Sequence, residues 1–154
     1  MNLKISTANK VDLKQILELQ KKCYQTEAEL HNDFTIPPLI QTDSSINQEI
    51  EEGTLFLKGI VEGEIIASVR GQVKNDTAYI GRLIVKSEFQ NNGFGQILMK
   101  EIENYLNNCS RYELFTGHKS IKNLKLYQKL GYNEIKRQYV NDSLTLVYLE
   151  KRNK

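Results

Sequence analysis

Residues 78–98 read AYIGRLIVKSEFQNNGFGQIL, and the pattern of this stretch changes along its length. The run from Thr77 to Val85 is largely apolar and contains several β-branched residues, which predicts a strand. From Gly95 onward, apolar residues recur with the spacing of one helix face, which predicts a helix. Between the two lies Gln90-x-x-Gly93-x-Gly95, so the sequence indicates a glycine-containing turn between a strand and a helix.

This turn has the properties of an anion-binding site. The first backbone N–H groups of a helix have no partner inside the helix, and they carry a partial positive charge. Gly93 and Gly95 lack a Cβ atom, so an anion can approach the backbone closely there. The combination predicts a binding site for a phosphate or pyrophosphate group, whereas the simpler interpretation is a turn without a ligand.

The residues around the turn argue against two common phosphate-binding motifs. A P-loop requires Lys and then Ser or Thr directly after its second glycine, but Gly95 is followed by Gln96 and Ile97. The dinucleotide fingerprint requires a small residue three positions after its second glycine, and that position holds Leu98. The turn therefore favours a pyrophosphate-containing ligand other than ATP, GTP or NAD.

The other periodic segments predict a mixed α/β sheet with the element order βααβββαβαββ. Three strands separated by turn residues predict an antiparallel meander, and the strand–helix–strand step from Thr77 to Thr116 predicts two parallel strands. The predicted strands are Leu3–Ser6, Thr54–Val61, Glu64–Val73, Thr77–Val85, Arg111–Thr116, Tyr132–Val140 and Ser143–Glu150. The predicted helices are Asn9–Gln25, Asp43–Glu52, a helix starting at Gly95 and Ile121–Leu130, with a broken helix or long loop at Glu27–Leu39.

The composition predicts one globular domain without disulfide or zinc support. The chain has 154 residues, two cysteines and a formal net charge of +2, which excludes a disulfide scaffold and gives no indication of nucleic acid binding. No apolar run approaches the ~18 residues of a membrane span, and Met1–Lys22 lack the pattern of a signal peptide. We therefore expect a cytoplasmic protein that binds neither nucleic acid nor membrane, with Cys23 and Cys109 as reduced thiols.

Three features of the C-terminal half resemble the GNAT superfamily of acyl-CoA-dependent N-acetyltransferases. They are the Gln90-x-x-Gly93-x-Gly95 turn, the spacing of Asn123 and Tyr127, and the sequence YQKLGY at residues 127–132. The predicted element order also agrees with that family. The resemblance extends over residues 54–150 and carries expectations about fold and activity.

The resemblance implies a single GNAT-like domain over residues 1–154, with an acyl-CoA-binding core at 54–150 and a variable acceptor-side segment at 1–53. It implies transfer of an acetyl group from acetyl-CoA directly to a primary amine of a small molecule, peptide or protein. It further implies that the transfer takes place in a ternary complex and needs no metal. A catalytically inactive module that senses acyl-CoA is the alternative. The resemblance is also compatible with a homodimer.

The resemblance further implies a role for each residue that matches the family motifs. The backbone on the strand before the turn would pair with the pantetheine arm of acetyl-CoA, and the amides from Asn91 to Gln96 would hold its pyrophosphate. Tyr127 would act as the general acid on the leaving thiolate. The implied acetyl-CoA-binding residues are Leu83, Ile84, Val85, Gln90, Asn91, Asn92, Gly93, Phe94, Gly95, Gln96 and Asn123.

Several assignments stay open at this level. On spacing alone a core-facing aromatic residue is the better interpretation of Tyr127, and the resemblance is what favours the acid role. The run Tyr79–Leu83 lacks the catalytic Glu that relatives often carry before the turn. Lysines of the helix after Ser120 would neutralise the 3′-phosphate of the coenzyme or form ordinary helix surface: Lys122, Lys125 and Lys129. The general base would be water or one of four side chains that otherwise belong to solvated loops: Glu29, His31, Asp33 and His118.

Overall fold

The structure is a computed structural model that describes residues 2–154. The strands are β1 (Lys4–Thr7), β2 (Leu55–Val61), β3 (Glu64–Lys74), β4 (Thr77–Val85), β5 (Arg111–Gly117), β6 (Asn133–Asn141) and β7 (Leu144–Arg152). The α-helices are α1 (Leu13–Leu30), α2 (Pro37–Ile40), α3 (Asp43–Glu51), α4 (Phe94–Tyr105) and α5 (Ile121–Lys129). Two single-turn 3₁₀ segments lie at Lys10–Asp12 and Ser87–Phe89.

All seven strands form one sheet in the order β1-β2-β3-β4-β5-β7-β6. Strands β2, β3 and β4 pair antiparallel, and β4 pairs parallel with β5 across the helix α4. The C-terminal hairpin of β6 and β7 joins the sheet beside β5. The predicted mixed α/β sheet, its meander and its parallel step are therefore confirmed, with α2 as an additional short helix.

The N-terminal helix differs most from its prediction. Asn9 caps the 3₁₀ turn, since its side chain accepts from the N–H of Val11 over 3.0 Å, and α1 then starts at Leu13. The helix continues through Glu27 to Leu30, where a broken helix or loop was predicted. It ends because Asn32 adopts a left-handed conformation with φ 47°.

The helices bury apolar side chains against both faces of the sheet. On one face, α4 contributes Leu98, Met99 and Ile102, which are fully buried. On the other face, α1 and α3 pack around Phe56 of β2 through residues such as Ile16. Burial of a large aliphatic side chain contributes about 1.5–3 kcal/mol, so these two layers hold the sheet between them.

The strands β4 and β5 diverge, and this divergence opens the site described next. Their pairing is confined to Thr77–Tyr79 against Arg111–Glu113. Further along β4, Arg82 and Leu83 together oppose the single residue Val69 of β3, which is a β-bulge. Arg82 has a left-handed backbone with φ 53° at this bulge. The bulge bends β4. Beyond it, the backbones of β4 and β5 no longer pair with each other.

Candidate active site

A cavity of about 270 Å³ lies in the gap between β4 and β5. Its walls also include α1, α2, α5 and the C-terminal hairpin. The apolar part of the wall includes Ile36, Pro37, Pro38, Leu114, Leu144 and Leu146. The polar and aromatic side chains in the wall are Tyr24, Glu27, His31, Arg82, Thr116, Asn123 and Tyr127.

The glycine turn leads into α4 with its backbone amides free. Gly93 caps the helix with φ 78°, and Asn91 is also left-handed with φ 64°. The side chain of Asn92 holds the turn by donating to the carbonyl oxygens of Phe89 and Gln90 over 3.1 and 3.2 Å. In residues 2–154, no backbone partner is present for the N–H groups from 91 to 96, so they are available to an anion.

The backbone of Val85 faces the gap, whereas that of Ile84 does not. Lys86 donates its N–H to the carbonyl of Ile66 over 2.7 Å, and hydrogen-bonding direction alternates along an antiparallel strand. Ile84 therefore turns its backbone groups toward β3, opposite Ser68, and Val85 turns its groups into the gap. Ile84, which was also predicted to bind acetyl-CoA, thus directs its backbone groups toward β3, while Leu83 lines the cavity.

Two side chains already contact the carbonyl oxygen of Val85. Gln90 donates to it from Nε2 over 2.9 Å, and the Cys23 thiol lies 3.5 Å away. Burial raises the pKa of Cys23 to about 11, although its hydrogen bond to Val85 works against this rise. At neutral pH the thiol is therefore protonated, and a protonated thiol is a poor nucleophile.

Tyr127 lies on α5 and is only 7% exposed. Its hydroxyl is open to the cavity, and no hydrogen-bond partner for it is found within residues 2–154. Burial raises the pKa of Tyr127, and the nearby Tyr24 and Glu27 raise it further. The hydroxyl therefore carries its proton at neutral pH. One turn earlier, Asn123 also faces the cavity and lies 3.5 Å from the Thr116 hydroxyl.

Of the four predicted base candidates, only His31 lines the cavity. The histidine is 2% exposed, so the expectation of a solvated loop is wrong for it. Its ring fits because Gly117 has no side chain, and a Cβ atom there would overlap the ring. Glu29 is exposed outside the cavity, and Asp33 is held by Thr35 and Asn141. His118 binds the backbone of Thr145 instead, with its Nδ1 accepting over 3.0 Å.

Four residues of the cavity wall with polar side-chain atoms were not found by sequence reasoning: Tyr24, Glu27, Arg82 and Thr116. Glu27 accepts a hydrogen bond of 2.5 Å from the Ser120 hydroxyl, and its carboxylate lies 3.6 Å from Nδ1 of His31. Tyr24, Glu27 and His31 follow one another at the spacing of a single helix face. That signal becomes visible only when α1 is extended to Leu30.

The predicted lysines lie on the exposed surface of α5: Lys122, Lys125 and Lys129. Lys122 is the one beside the glycine turn, with its Nζ 3.4 Å from Oε1 of Gln90. Within residues 2–154, no group of three or more His, Cys, Asp or Glu side chains has the arrangement of a metal site. In the same part of the chain, no helix combines the length and apolar character needed to cross a membrane.

Comparisons with known proteins agree on the type of domain. The family described as "Acetyltransferase (GNAT) domain" matches residues 22–153. The solved structure of the ribosomal-protein-S18-alanine N-acetyltransferase from Escherichia coli superposes with a TM-score of 0.82 at 17% identity, covering 99% of this chain and 95% of that one. No match was found among curated proteins.

Two further similar structures were solved with a coenzyme. The PaiA N-acetyltransferase from Thermoplasma acidophilum, in complex with coenzyme A, has a TM-score of 0.79 at 17% identity and 99% coverage of both chains. YncA from Salmonella typhimurium, a putative acetyltransferase with acetyl-CoA, has a TM-score of 0.77 at 15% identity, covering 100% of this chain and 95% of that one. At sequence identities this low, the structural similarity shows a shared fold and nothing about the substrate.

Proposed function

This chain belongs to the GNAT acetyltransferase family and is an acyl-CoA-dependent acetyltransferase, and on this premise we propose that it acetylates the primary amine of a small molecule with Tyr127 as general acid. The observation that carries the proposal is the free hydroxyl of Tyr127 in the wall of the cavity. We propose the cytoplasm as its compartment, because both cysteines are free thiols.

The residues around the gap fit acetyl-CoA as the co-substrate. The free amides from Asn91 to Gln96 suit its pyrophosphate, and Lys122 adds a positive charge beside the turn. The outward-facing backbone of Val85 can pair with an amide of the pantetheine arm, as an added strand would. For the Val85 carbonyl to accept from the pantetheine arm, the hydrogen bond that Gln90 donates to it over 2.9 Å has to break.

Acetyl-CoA supplies an acetyl group that a neutral amine can attack, with a thiol as the leaving group. Tyr127 gives its proton to the leaving sulfur, since burial keeps this hydroxyl protonated at neutral pH. Glu27 takes the proton that the amine loses, because it is the one carboxylate in the cavity wall formed by residues 2–154. The two residues lie on opposite elements, α5 and α1, so the amine can sit between them.

The test is thiol release from acetyl-CoA with a panel of primary amines. Tyr127→Phe removes only a hydroxyl without a protein partner, so the fold is retained. We expect turnover to fall by about a hundredfold, with acetyl-CoA affinity unchanged. Tyr105→Phe is the matched control, because Tyr105 is 49% exposed on α4 and outside the cavity wall.

Two results would contradict the proposal. Full turnover by Tyr127→Phe would remove Tyr127 from the reaction. Tight binding of acetyl-CoA without thiol release from any amine would indicate an acyl-CoA sensor.

A further inference from the structure

Arg82 is a half-buried cation in the cavity wall. The buried Arg70 and the half-buried Arg111 are both paired, since Arg70 contacts Glu49 at 3.0 Å and Arg111 contacts Glu113 and Glu150 at 2.7 Å. In residues 2–154, no carboxylate lies within ion-pair distance of the Arg82 guanidinium, and no hydrogen bond is formed by it. Arg82 therefore lines the cavity with a charge that has no protein partner within residues 2–154.

The surroundings of Arg82 do not compensate this charge by other means. Arg70 is a second cation near Arg82. The nearby Glu49 carboxylate pairs with Arg70, from which it accepts two hydrogen bonds of 3.0 Å. Burial lowers the pKa of Arg70, Glu49 raises it, and the charge of Arg82 lowers it again, which reflects the proximity of the two guanidinium groups. An anion that entered the cavity would relieve this repulsion.

Glu27 presents the opposite charge in the same cavity. Its carboxylate is held by Ser120 and His31, and it is not within ion-pair distance of Arg82. The cavity therefore offers one negative and one positive group at separate places. The remaining wall is mostly apolar, so it favours neither a long polyamine nor any other ligand with several unpaired charges.

We propose that the acceptor is an amino acid with an apolar side chain, whose carboxylate pairs with Arg82 and whose amino group faces Glu27. This inference rests on the proposed acetyl transfer to an amine. Arg binds carboxylates through two parallel hydrogen bonds, which suits a single carboxylate better than a lone ammonium group. The cavity of about 270 Å³ is slightly smaller than typical ligand pockets of about 300–1,000 Å³, which suits a small molecule.

The experiment compares each free acid with its amide. The probes are L-leucine, L-methionine and L-phenylalanine, each as the free acid and as the carboxamide, with acetyl-CoA as donor. We expect the enzyme to prefer the acids in kcat/KM, and Arg82→Gln to reduce this preference by at least about thirtyfold, as for loss of one partner of a buried charge pair. Arg82→Lys should restore part of the preference, because it keeps the charge and loses the two-pronged geometry.

Arg152→Gln is the matched control. Arg152 is exposed at the end of β7 and outside the cavity, so the acid-to-amide ratio should not change. Equal kcat/KM for acids and amides in the unmodified enzyme would overturn the inference. A loss of acetyl-CoA affinity in Arg82→Gln would overturn it as well, since Arg82 would then serve the coenzyme. A preference for O-phosphoethanolamine over all three acids would also overturn the inference, because Arg82 would then recognise a phosphate group instead of a carboxylate.

Binding measured without turnover separates this inference from the proposed function. Calorimetry with the coenzyme A complex should detect each free acid, and Arg82→Gln should abolish that heat. If no amine releases thiol while the acids still bind through Arg82, the result contradicts the proposed acetyl transfer and supports the carboxylate site. If amines are acetylated but no acid binds, the result contradicts the carboxylate site and supports the proposed acetyl transfer.

Discussion

The Ser120 hydroxyl donates a hydrogen bond of 2.5 Å to the Glu27 carboxylate and so joins the start of α5 to the last turns of α1. Ser120 precedes α5, the helix that carries Tyr127, and Glu27 lines the same cavity from α1. The bond therefore fixes the proposed acid and the proposed proton acceptor relative to each other. Positioning of this kind is what general acid–base catalysis requires.

Replacement of Glu27 by Gln should reduce turnover by about a hundredfold, because the amine loses the carboxylate that accepts its proton. Gln keeps an oxygen that can accept from Ser120, so the helices should stay joined. Acetyl-CoA affinity, measured by calorimetry, should not change. Glu29→Gln is the control, since Glu29 is exposed only two residues away and outside the cavity. Equal losses in both variants would show that the Glu27 carboxylate has no part in the reaction.

The two glycines of the turn should differ in their response to Ala. Gly93 has φ 78°, where an L-residue costs about 1–2 kcal/mol, so Gly93→Ala should lower the free energy of unfolding by that amount and weaken acetyl-CoA binding. Gly95 has an ordinary backbone, and an added Cβ would lie 3.5 Å from Leu126 and 3.6 Å from Leu83, which is normal contact. Urea denaturation and acetyl-CoA calorimetry on both variants measure the contrast. A more damaging Gly95→Ala would contradict the assigned turn geometry.

The ion pair between the buried Arg70 and the partly exposed Glu49 should contribute to stability through charge compensation. Arg70 is 4% exposed and also donates a hydrogen bond to the side-chain oxygen of Gln20. Glu49→Gln should lower the free energy of unfolding by about 3–5 kcal/mol, because it leaves a buried guanidinium without its anion. The control Glu51→Gln breaks the exposed pair with Lys10 and should cost less than about 1 kcal/mol. Similar urea midpoints for the two variants would argue against this role.

The Cys23 thiol should react slowly with iodoacetamide at neutral pH. Burial raises its pKa from 9.0 to about 11, and only the thiolate reacts, so the rate should be about a hundredfold below that of an ordinary thiol. The rate should rise about tenfold per pH unit until the pH reaches the pKa, since each unit increases the thiolate fraction tenfold. The measurement uses Cys109→Ser, in which Cys23 is the remaining cysteine. A plateau below pH 9 would contradict the raised pKa.

Local patterns were sufficient for most of the fold. The meander, the parallel step to β5 and the turn before α4 all come from residues that are close in sequence. The end of α1 was predicted wrongly, because the segment with His31 and Pro37 was interpreted as a break that starts at Glu27. The helix in fact ends at Leu30, and the early break concealed the shared face of Tyr24 and Glu27.

The sequence by itself determined the glycine turn at Gln90–Gly95 and hence the predicted site for acetyl-CoA, because that site is built from consecutive backbone groups at a helix start. Only the tertiary structure brought together the residues of the proposed acceptor site. Glu27 and Arg82 lie far apart in sequence, and they share one cavity because the bulge in β4 and its divergence from β5 open a gap beside α1. Such proximity depends on how helices and strands pack, and no short stretch of sequence encodes it.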